Sequence, residues 1–169
     1  AVLGQRIVGR LDAGAAPELP DHVVLDVGRP AVVVPHSFEP QTIGSRVLLA
    51  WNASRDAARA ANDALPILQA ADDVRVMIIN PEKGIMGHGE LPGADIATHL
   101  ARHGVKAEVV EVTAGRKKVG DELLSQINAF NADFMVMGSY GSFRLRELVF
   151  GGTTRRILEA MTVPILMSR

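Results

Sequence analysis

The chain has 169 residues, enough for one domain with a full core and an additional segment, but too few for two ordinary α/β domains. Hydrophobic residues make up 47% of it and the net charge is −1, which predicts a soluble globular protein without a nucleic-acid or membrane partner. The absence of cysteine excludes disulfides and thiolate metal sites. No apolar run approaches the roughly 20 residues of a membrane span and no signal peptide leads the chain, so we expect a cytoplasmic protein.

The N-terminal region predicts a strand, a helix and a second strand. Ala1–Gly4 is typical of the end of a strand, and Leu19–Val27 predicts a short helix. Ala31–Val34 is an apolar strand bounded by prolines. These elements also match the order of the last elements of the chain.

A common spacing relates the two ends of the chain. Gly4 lies 26 residues before Pro30, and Gly138 lies 26 residues before Pro164. This spacing indicates that the N-terminal segment is the last part of one repeat and that a whole copy of the repeat follows it.

A polar segment with a proline and a glycine separates the two copies and predicts a linker. We therefore expect three parts: residues 1–36 as the C-terminal remnant of a first unit, residues 37–45 as the linker, and residues 46–169 as a complete second unit.

The second unit alternates apolar strands with helices. The predicted strands are Arg46–Trp51, Val74–Ile79, Ala107–Val112, Phe134–Met137 and Pro164–Ser168. The predicted helices begin after Ser54, span Ala94–His103 and Lys118–Phe130, and begin again at Thr153; Asn80–Gly93 is predicted to be a loop. Single helices between successive strands favour an α/β fold with a parallel sheet and right-handed crossovers.

The first helix of this unit carries clear local signals. Ser54 is a suitable N-cap, and Pro66 predicts a kink or an early end. The apolar stripe at helical spacing consists of Ala58, Ala61, Leu65 and Leu68.

Two glycine pairs near the end of the chain suggest a phosphate site. Gly138 and Gly141 follow a buried strand and permit a sharp turn close to another molecule. Gly151 and Gly152 stand before Thr153, where a helix begins and its free N–H groups can bind an anion. The alternative is that these glycines only form tight turns in a surface loop.

The pattern Gly-x-x-Gly, nine residues, then Gly-[Ser/Thr] resembles the nucleotide-binding signature of the universal stress protein family. The resemblance covers about Arg46 to Arg169. It implies an open five-stranded parallel sheet in the order 3-2-1-4-5 with helices on both faces, and a bound adenine nucleotide (ATP, ADP or AMP, with or without Mg²⁺). One position departs from the signature: Gly152 replaces a Ser/Thr, so the hydroxyl is missing or is supplied by Thr153.

The resemblance also assigns site residues outside the glycine pattern. Asn52 occupies the position where the family usually has an aspartate that holds the ribose hydroxyls, and the missing charge predicts lower affinity. The alternative is that Asn52 only caps a turn. Ile79 matches the position whose backbone contacts adenine. Arg144 lies between the glycine pairs and could reach a phosphate, although a solvated side chain is commoner.

Assembly follows from the two terminal strands. Ala31–Val34 and Ile165–Met167 are apolar, and an unpaired apolar edge favours aggregation. The family resemblance implies that they pair across a pseudo-twofold axis, within one chain or between the chains of a homodimer. We therefore expect Val33 to lie near Leu166 or its neighbours. Tandem members of the family carry two units per chain, and this sequence resembles one that lacks most of its first unit.

No catalytic apparatus is evident. There is no Ser-His-Asp set, no paired carboxylates and no P-loop. His99 and His103 have a spacing that can hold a metal, but no third ligand accompanies them. The sequence therefore favours an ATP-binding sensor or regulator of a stress response without rapid turnover. The alternatives are a partner-binding module with a decayed pocket and a slow ATPase.

Overall fold

The computed structural model describes most of the second unit and both strands of the N-terminal segment. The described residues are 1–5, 28–39, 42–81, 91, 93–139 and 152–169. The predicted helix Leu19–Val27 lies outside them, as does most of the predicted loop Asn80–Gly93.

Seven strands form one sheet, with five helices among the described residues. The elements are β1 (Val2–Gly4), β2 (Ala31–Val34), β3 (Arg46–Ala50), α1 (Arg55–Asp63), α2 (Leu65–Ala70), β4 (Asp73–Ile79), α3 (Ala94–Arg102), β5 (Ala107–Val112), α4 (Val119–Phe130), β6 (Phe134–Gly138), α5 (Gly152–Ala160) and β7 (Ile165–Ser168). The strand order is β1-β2-β7-β6-β3-β4-β5. Neighbouring strands are parallel except β2 and β7, which are antiparallel.

The five strands of the second unit have the predicted order. Numbered within that unit, β5-β4-β3-β6-β7 is 3-2-1-4-5. Each strand end agrees with its predicted position to within one residue. The complete sheet has seven strands, because β2 pairs with β7 and β1 with β2, so that both continue the five strands of the second unit beyond β7.

Helices cover both faces of the sheet. Leu48 of β3 belongs to the core beneath α4 and α5, whereas its neighbours Val47 and Leu49 belong to the core beneath α1, α2 and α3. Successive strand residues point to opposite faces, so a central strand covered on both sides must be apolar throughout. This arrangement explains why the strands could be located from short uninterrupted apolar runs.

The local signals around α1 are confirmed. The Ser54 side chain caps the helix by accepting a hydrogen bond from the backbone N–H of Ala57 at 3.1 Å. The helix ends at Asp63, and a separate helix begins at Leu65 with Pro66 in its first turn. A proline in the first turn needs no N–H partner, which is why the interruption falls there.

The predicted apolar stripe is confirmed in part. Ala61 and Leu68 are buried and Leu65 packs against the same core, whereas Ala58 is only half-buried. On α1 the buried apolar residues are instead Ala57, Ala60 and Ala61. The helix approaches β6 at a glycine, as described below, and so its smallest side chains are the ones that face the sheet.

The terminal strands pair within the chain, as predicted. Val33 pairs with Ile165, and Val32 pairs with Leu166. Val33 is fully buried. The pairing covers the apolar edge of β7, so the aggregation-prone edge foreseen from the sequence is closed by the same chain.

The strand pair β1 and β2 has the same register as the pair β6 and β7. Gly4 is opposite Val34, and Gly138 is opposite Ser168, with equal offsets in sequence. The N–H of Gln5 donates to the carbonyl of Val34 at 2.7 Å, and the equivalent N–H of Ser139 donates to the carbonyl of Ser168 at 2.9 Å. The strand pair β1 and β2 thus repeats the register of the strand pair that ends the second unit.

Candidate functional site

The carboxyl ends of three parallel strands meet at one edge of the sheet. β3 lies between β4 and β6, and the chain leaves β3 towards β4 while β6 arrives on the other side. The predicted neighbours β3 and β6 are therefore adjacent, and a crevice at such a reversal of strand order is where open α/β sheets bind ligands. Asn52 follows β3 closely, and Ser139 follows β6 directly.

Asn52 is exposed and caps the turn into α1. Its Oδ1 accepts hydrogen bonds from the Ser54 hydroxyl at 2.7 Å and from the Ser54 N–H at 3.2 Å. Between them, Ala53 has a left-handed backbone with φ of 54°. The turn-capping alternative for Asn52 thus describes the observed contacts, and a role in ribose binding stays a prediction.

Gly138 lies against the first turn of α1. A Cβ at this position would stand 2.6 Å from the backbone nitrogen of Ala57 and 2.7 Å from the carbonyl carbon of Asp56. These distances are too short for any non-glycine residue, and both partners are backbone atoms. The physical reason for glycine here is therefore the close approach of a helix, whereas we expected a sharp turn beside a ligand.

Two hydroxyl side chains, those of Ser139 and Thr154, join β6 to β7 and to α5. The Thr154 hydroxyl donates to the carbonyl of Ser139 at 2.9 Å, and the Ser139 hydroxyl donates to the carbonyl of Ser168 at 3.1 Å. All three residues are buried. The contact between Ser139 and Thr154 holds the start of α5 beside the end of β6. Sequence reasoning missed it, although both residues stand at the ends of the glycine segment.

Two residues of the predicted phosphate cradle are described. Gly152 is the first residue of α5 and is exposed, with no atom within 4 Å of where a Cβ would be. Thr153 is half-buried in the first turn. The other predicted cradle residues, Gly141, Arg144 and Gly151, lie outside the described residues.

The start of α5 is also positioned by α4. A Cβ on Gly120 would stand 3.3 Å from the carbonyl oxygen of Thr153 and 3.1 Å from the Arg156 side chain. Arg156 in turn donates to Asp121 with Nε to Oδ1 at 2.6 Å. Gly120 lets the first turns of the two helices meet, which the sequence did not indicate because the two helices are far apart along the chain.

Ile79 ends β4 at the same edge. The carbonyl of Met77 accepts a hydrogen bond from Trp51 at 2.9 Å, so the backbone groups of Met77 point towards β3. Ile79 is two residues further on, and strand geometry directs its backbone groups to the same side, beyond the end of β3. A ligand in the crevice would meet them there.

Comparison with known proteins supplies the family. The model of the universal stress protein family matches residues 31–169. The chain belongs to this family. It is 27% identical over 153 residues to the universal stress protein Slr1230 of a Synechocystis strain, a match that covers 88% of this chain and 50% of that protein.

Solved structures with this fold include two from Archaeoglobus fulgidus. One is a universal stress protein with 18% identity and a TM-score of 0.70, covering 99% of this chain and 59% of that chain. The other is a universal stress protein in complex with dAMP, with 16% identity and a TM-score of 0.56, covering 76% of this chain and 100% of that chain. This universal stress protein thus spans about half the length of Slr1230 and of the first of these structures.

Two other features considered in the sequence are a metal site at His99 and His103 and a membrane-spanning segment. The rings of His99 and His103 lie 4.7 Å apart, and Nε2 of His99 is buried without a hydrogen-bond partner in the described part of the chain. Those same residues include no cluster of three or more side chains that could hold a metal ion. None of the described helices is both long and apolar enough to cross a bilayer.

In this universal stress protein the Glu122 carboxylate, near the start of α4, is held by two hydrogen bonds that lower its pKa. Hydrogen bonds from the Gln126 side chain at 2.8 Å and from Lys117 at 3.1 Å lower the pKa of Glu122 below its ordinary 4.5, while burial opposes them. A lowered folded-state pKa means that the stabilisation is complete above pH 4.5 and is lost as the pH falls through the folded value.

Replacing Gln126 by alanine should therefore raise the pKa of Glu122, because the hydrogen bond from Gln126 is the largest of the contributions that lower this pKa. NMR titration of the Glu122 carboxyl should show its midpoint moving towards 4.5, and the loss of stability from about pH 6 to about pH 3 should become smaller. Ser125→Ala, at an exposed position of the same helix, is the control. An unchanged midpoint in Gln126→Ala would contradict the assignment.

Proposed function

We propose that this chain binds an adenine nucleotide at the carboxyl edge of β3, β4 and β6 and acts as a sensor or regulator in a stress response. The observation that carries the proposal is the buried hydrogen bond from Thr154 to Ser139 at 2.9 Å. It holds a helix N-terminus beside the crevice in which open α/β sheets bind their ligands. A structural relative solved in complex with dAMP supports the choice of ligand.

The base and the sugar have separate candidate partners. The backbone groups of Ile79, directed beyond the end of β3, suit hydrogen bonding to the edge of adenine. Asn52 lies at the end of the neighbouring strand, where the amide group can hydrogen-bond a ribose hydroxyl. Because its Oδ1 already accepts two hydrogen bonds from Ser54, we expect this contact to add little affinity.

The phosphates would bind at the start of α5. The free N–H groups of Gly152 and Thr153 and the positive end of the helix dipole favour an anion there. Gly141 and Gly151 would complete the cradle with backbone donors, and Arg144 could add a charged one. We propose ATP as the nucleotide, since a helix start and several backbone donors suit a chain of phosphates.

Calorimetric titration of ATP into the wild type and two glycine variants tests the proposal. Gly151→Val should abolish binding while the fold persists, because a side chain would occupy the space of the phosphates or force an unfavourable backbone angle. Gly152→Ser should tighten binding roughly five- to tenfold, since it restores one hydroxyl worth on the order of 1 kcal/mol. The open space beyond Gly152 leaves room for that serine.

A wild type that gives no heat and no competition at about millimolar ATP, the weak end of ligand affinities, would contradict the proposal. The partner-binding alternative would then take its place. The observation that favours it is that the Asn52 side chain already accepts a hydrogen bond from Ser54. Steady ADP production well above that of Gly151→Val would instead favour the slow ATPase.

We further propose that residues 1–36 are a second copy of the strand-helix-strand part that ends the unit at residues 46–169, with residues 37–45 as linker. The shared register of the two strand pairs supports this division. The spacing that makes Gly4 equivalent to Gly138 also makes Val32 equivalent to Leu166. These two residues lie opposite each other in the antiparallel pairing of β2 with β7, as expected at a pseudo-twofold axis. The two copies would thus form a pseudo-dimer within one chain.

A further inference from the structure

The strand β1 lies at one edge of the sheet. Among the described residues it pairs with β2 on one side and with no strand on the other. The carbonyl of Ala1 and the N–H of Gln5 form hydrogen bonds with β2, so the backbone groups of Val2 and Gly4 point to the outer side. A row of outward backbone donors and acceptors is a template for pairing with a further strand.

β1 corresponds to β6, which has a neighbouring strand on both sides. The shared register makes Val2 equivalent to Val136 and Gly4 equivalent to Gly138. On its second side β6 pairs in parallel with β3, where Leu49 lies opposite Val136. Val136 is fully buried in the core beneath α1, whereas Val2 is 75% exposed. The face of β1 that corresponds to the one beneath α1 is therefore apolar and exposed.

No contact of its own explains why residue 4 is glycine. The φ of Gly4 is not positive, and no described atom lies within 4 Å of where a Cβ would be. At Gly138 the same Cβ would stand 2.6 Å from the backbone nitrogen of Ala57, in the first turn of α1. A glycine inside a strand weakens it and often marks the close approach of another backbone. Gly4 thus leaves open the space that a helix occupies at the equivalent position.

We propose that the outer edge of β1 binds a strand-helix segment of another polypeptide, of the same kind as β3 and α1. The strand of that segment lies parallel to β1 and pairs with the backbone groups of Val2 and Gly4. Its helix covers the exposed Val2 side chain and passes close to Gly4, as α1 covers Val136 and passes close to Gly138.

The chemistry of the bound segment follows from β3 and α1. The strand must be apolar on both faces, since the central residues of β3 are fully buried. The helix must present small residues, since the buried apolar positions of α1 are all alanine. The residues of β3 and α1 that show these two requirements are Val47, Leu48, Leu49, Ala57, Ala60 and Ala61.

A second copy of this chain fits the edge less well. Two copies related by a twofold axis would pair β1 with β1 in opposite directions, and this pairing would bring no helix against Gly4. Their own β3 and α1 are already buried in the fold and cannot be offered to a neighbour. The inference uses the repeat relation proposed above and is independent of nucleotide binding. Its failure would leave that relation in place, because the relation rests on the register of β1 and β2.

A peptide with the sequence of residues 45–64, which form β3 and α1, is a suitable probe. Titration of the full chain into the fluorescein-labelled peptide should show saturable fluorescence anisotropy with a Kd of about 10 to 100 μM, since a segment that folds on binding loses affinity to ordering. A peptide carrying Ala57→Leu should bind about tenfold more weakly, because the larger side chain prevents the close approach of the helix.

Substitution of Gly4 by valine in the full chain tests the surface itself. Gly4→Val should weaken peptide binding about tenfold or more, because the new side chain takes the space of the helix. Thr113→Val is the matched control, since it places a valine at an exposed position just after β5, the strand at the other edge of the sheet. Thermal unfolding of Gly4→Val should match that of the wild type, as no described atom meets the new Cβ.

Four results would overturn the proposal. The first is a wild-type chain that does not bind the peptide, and the second is equal binding by Gly4→Val and Thr113→Val. The third is a Gly4→Val variant that unfolds at a lower temperature than the wild type, because the glycine would then have a reason inside the fold. The fourth is sedimentation of the wild type as a dimer that Gly4→Val abolishes, which would make this edge an interface between copies.

Discussion

Replacing Gly138 by valine should destabilise the protein by about 3 kcal/mol or more. The new Cβ would stand 2.6 Å from the nitrogen of Ala57 and 2.7 Å from the carbonyl carbon of Asp56. These are backbone atoms of α1, so the conflict can be relieved only by moving the helix away from β6. Native packing has no spare volume for such a movement. Urea unfolding should show a lower midpoint, and thermal unfolding should lose about 6 to 12 °C.

The size of the substituent provides an internal check. Gly138→Ala should cost nearly as much as valine, because the conflict arises at the Cβ itself. Gly152→Ala is the matched control, since nothing lies within 4 Å of a Cβ there. We expect that variant to change stability by less than about 1 kcal/mol. Equal losses at positions 138 and 152 would show that the contact with α1 does not determine the effect.

Replacing Asp133 by alanine should cost about 3 kcal/mol, since hydrogen bonds to a charged group contribute about 1.5 to 3 kcal/mol each and these are partly exposed. The Asp133 carboxylate accepts four hydrogen bonds of 2.9 to 3.1 Å. The donors are the Thr42 hydroxyl and the N–H groups of Gly44, Ser45 and Arg46. The side chain of Asp133, just before β6, thus fixes the position of the backbone at the start of β3. Without it, three backbone N–H groups lose their acceptor and must hydrogen-bond to water instead.

Denaturant unfolding of Asp133→Ala and Asp133→Asn measures this contribution. Asparagine keeps one acceptor oxygen but loses the charge and the second oxygen, so we expect an intermediate loss. Asp72→Ala is a suitable control, because Asp72 accepts a side-chain hydrogen bond from Ser45 nearby but none of the backbone donors. An asparagine variant as stable as the wild type would show that the carboxylate is not needed.

Most of the fold was predictable because its signals are local. The buried strands are uninterrupted apolar runs. Ser54 is a suitable N-cap and predicts the start of α1, and Pro66 predicts the break between α1 and α2. The strand order and the pairing of the terminal strands came from the family resemblance together with the repeated spacing of Gly4 and Gly138. Both are now visible in the register of the sheet.

The candidate site was predictable only in outline. The glycine pattern indicates where a phosphate cradle would lie, but three of its residues, Gly141, Arg144 and Gly151, are outside the described structure and stay predictions. The hydrogen bond from Thr154 to Ser139, which holds the start of α5 beside β6, was not predicted. A hydroxyl side chain in a glycine-rich segment has many possible partners, and sequence spacing does not select one.

The sequence by itself determined the strands, the helix boundaries and the family, because apolar periodicity, capping residues and glycine spacing act between neighbours along the chain. Only the tertiary structure decided why Gly138 must be glycine and which backbone N–H groups the Asp133 carboxylate binds. Each of these depends on a contact between elements that are distant in sequence. Such contacts are set by the close packing of helices on the sheet, which no single segment encodes.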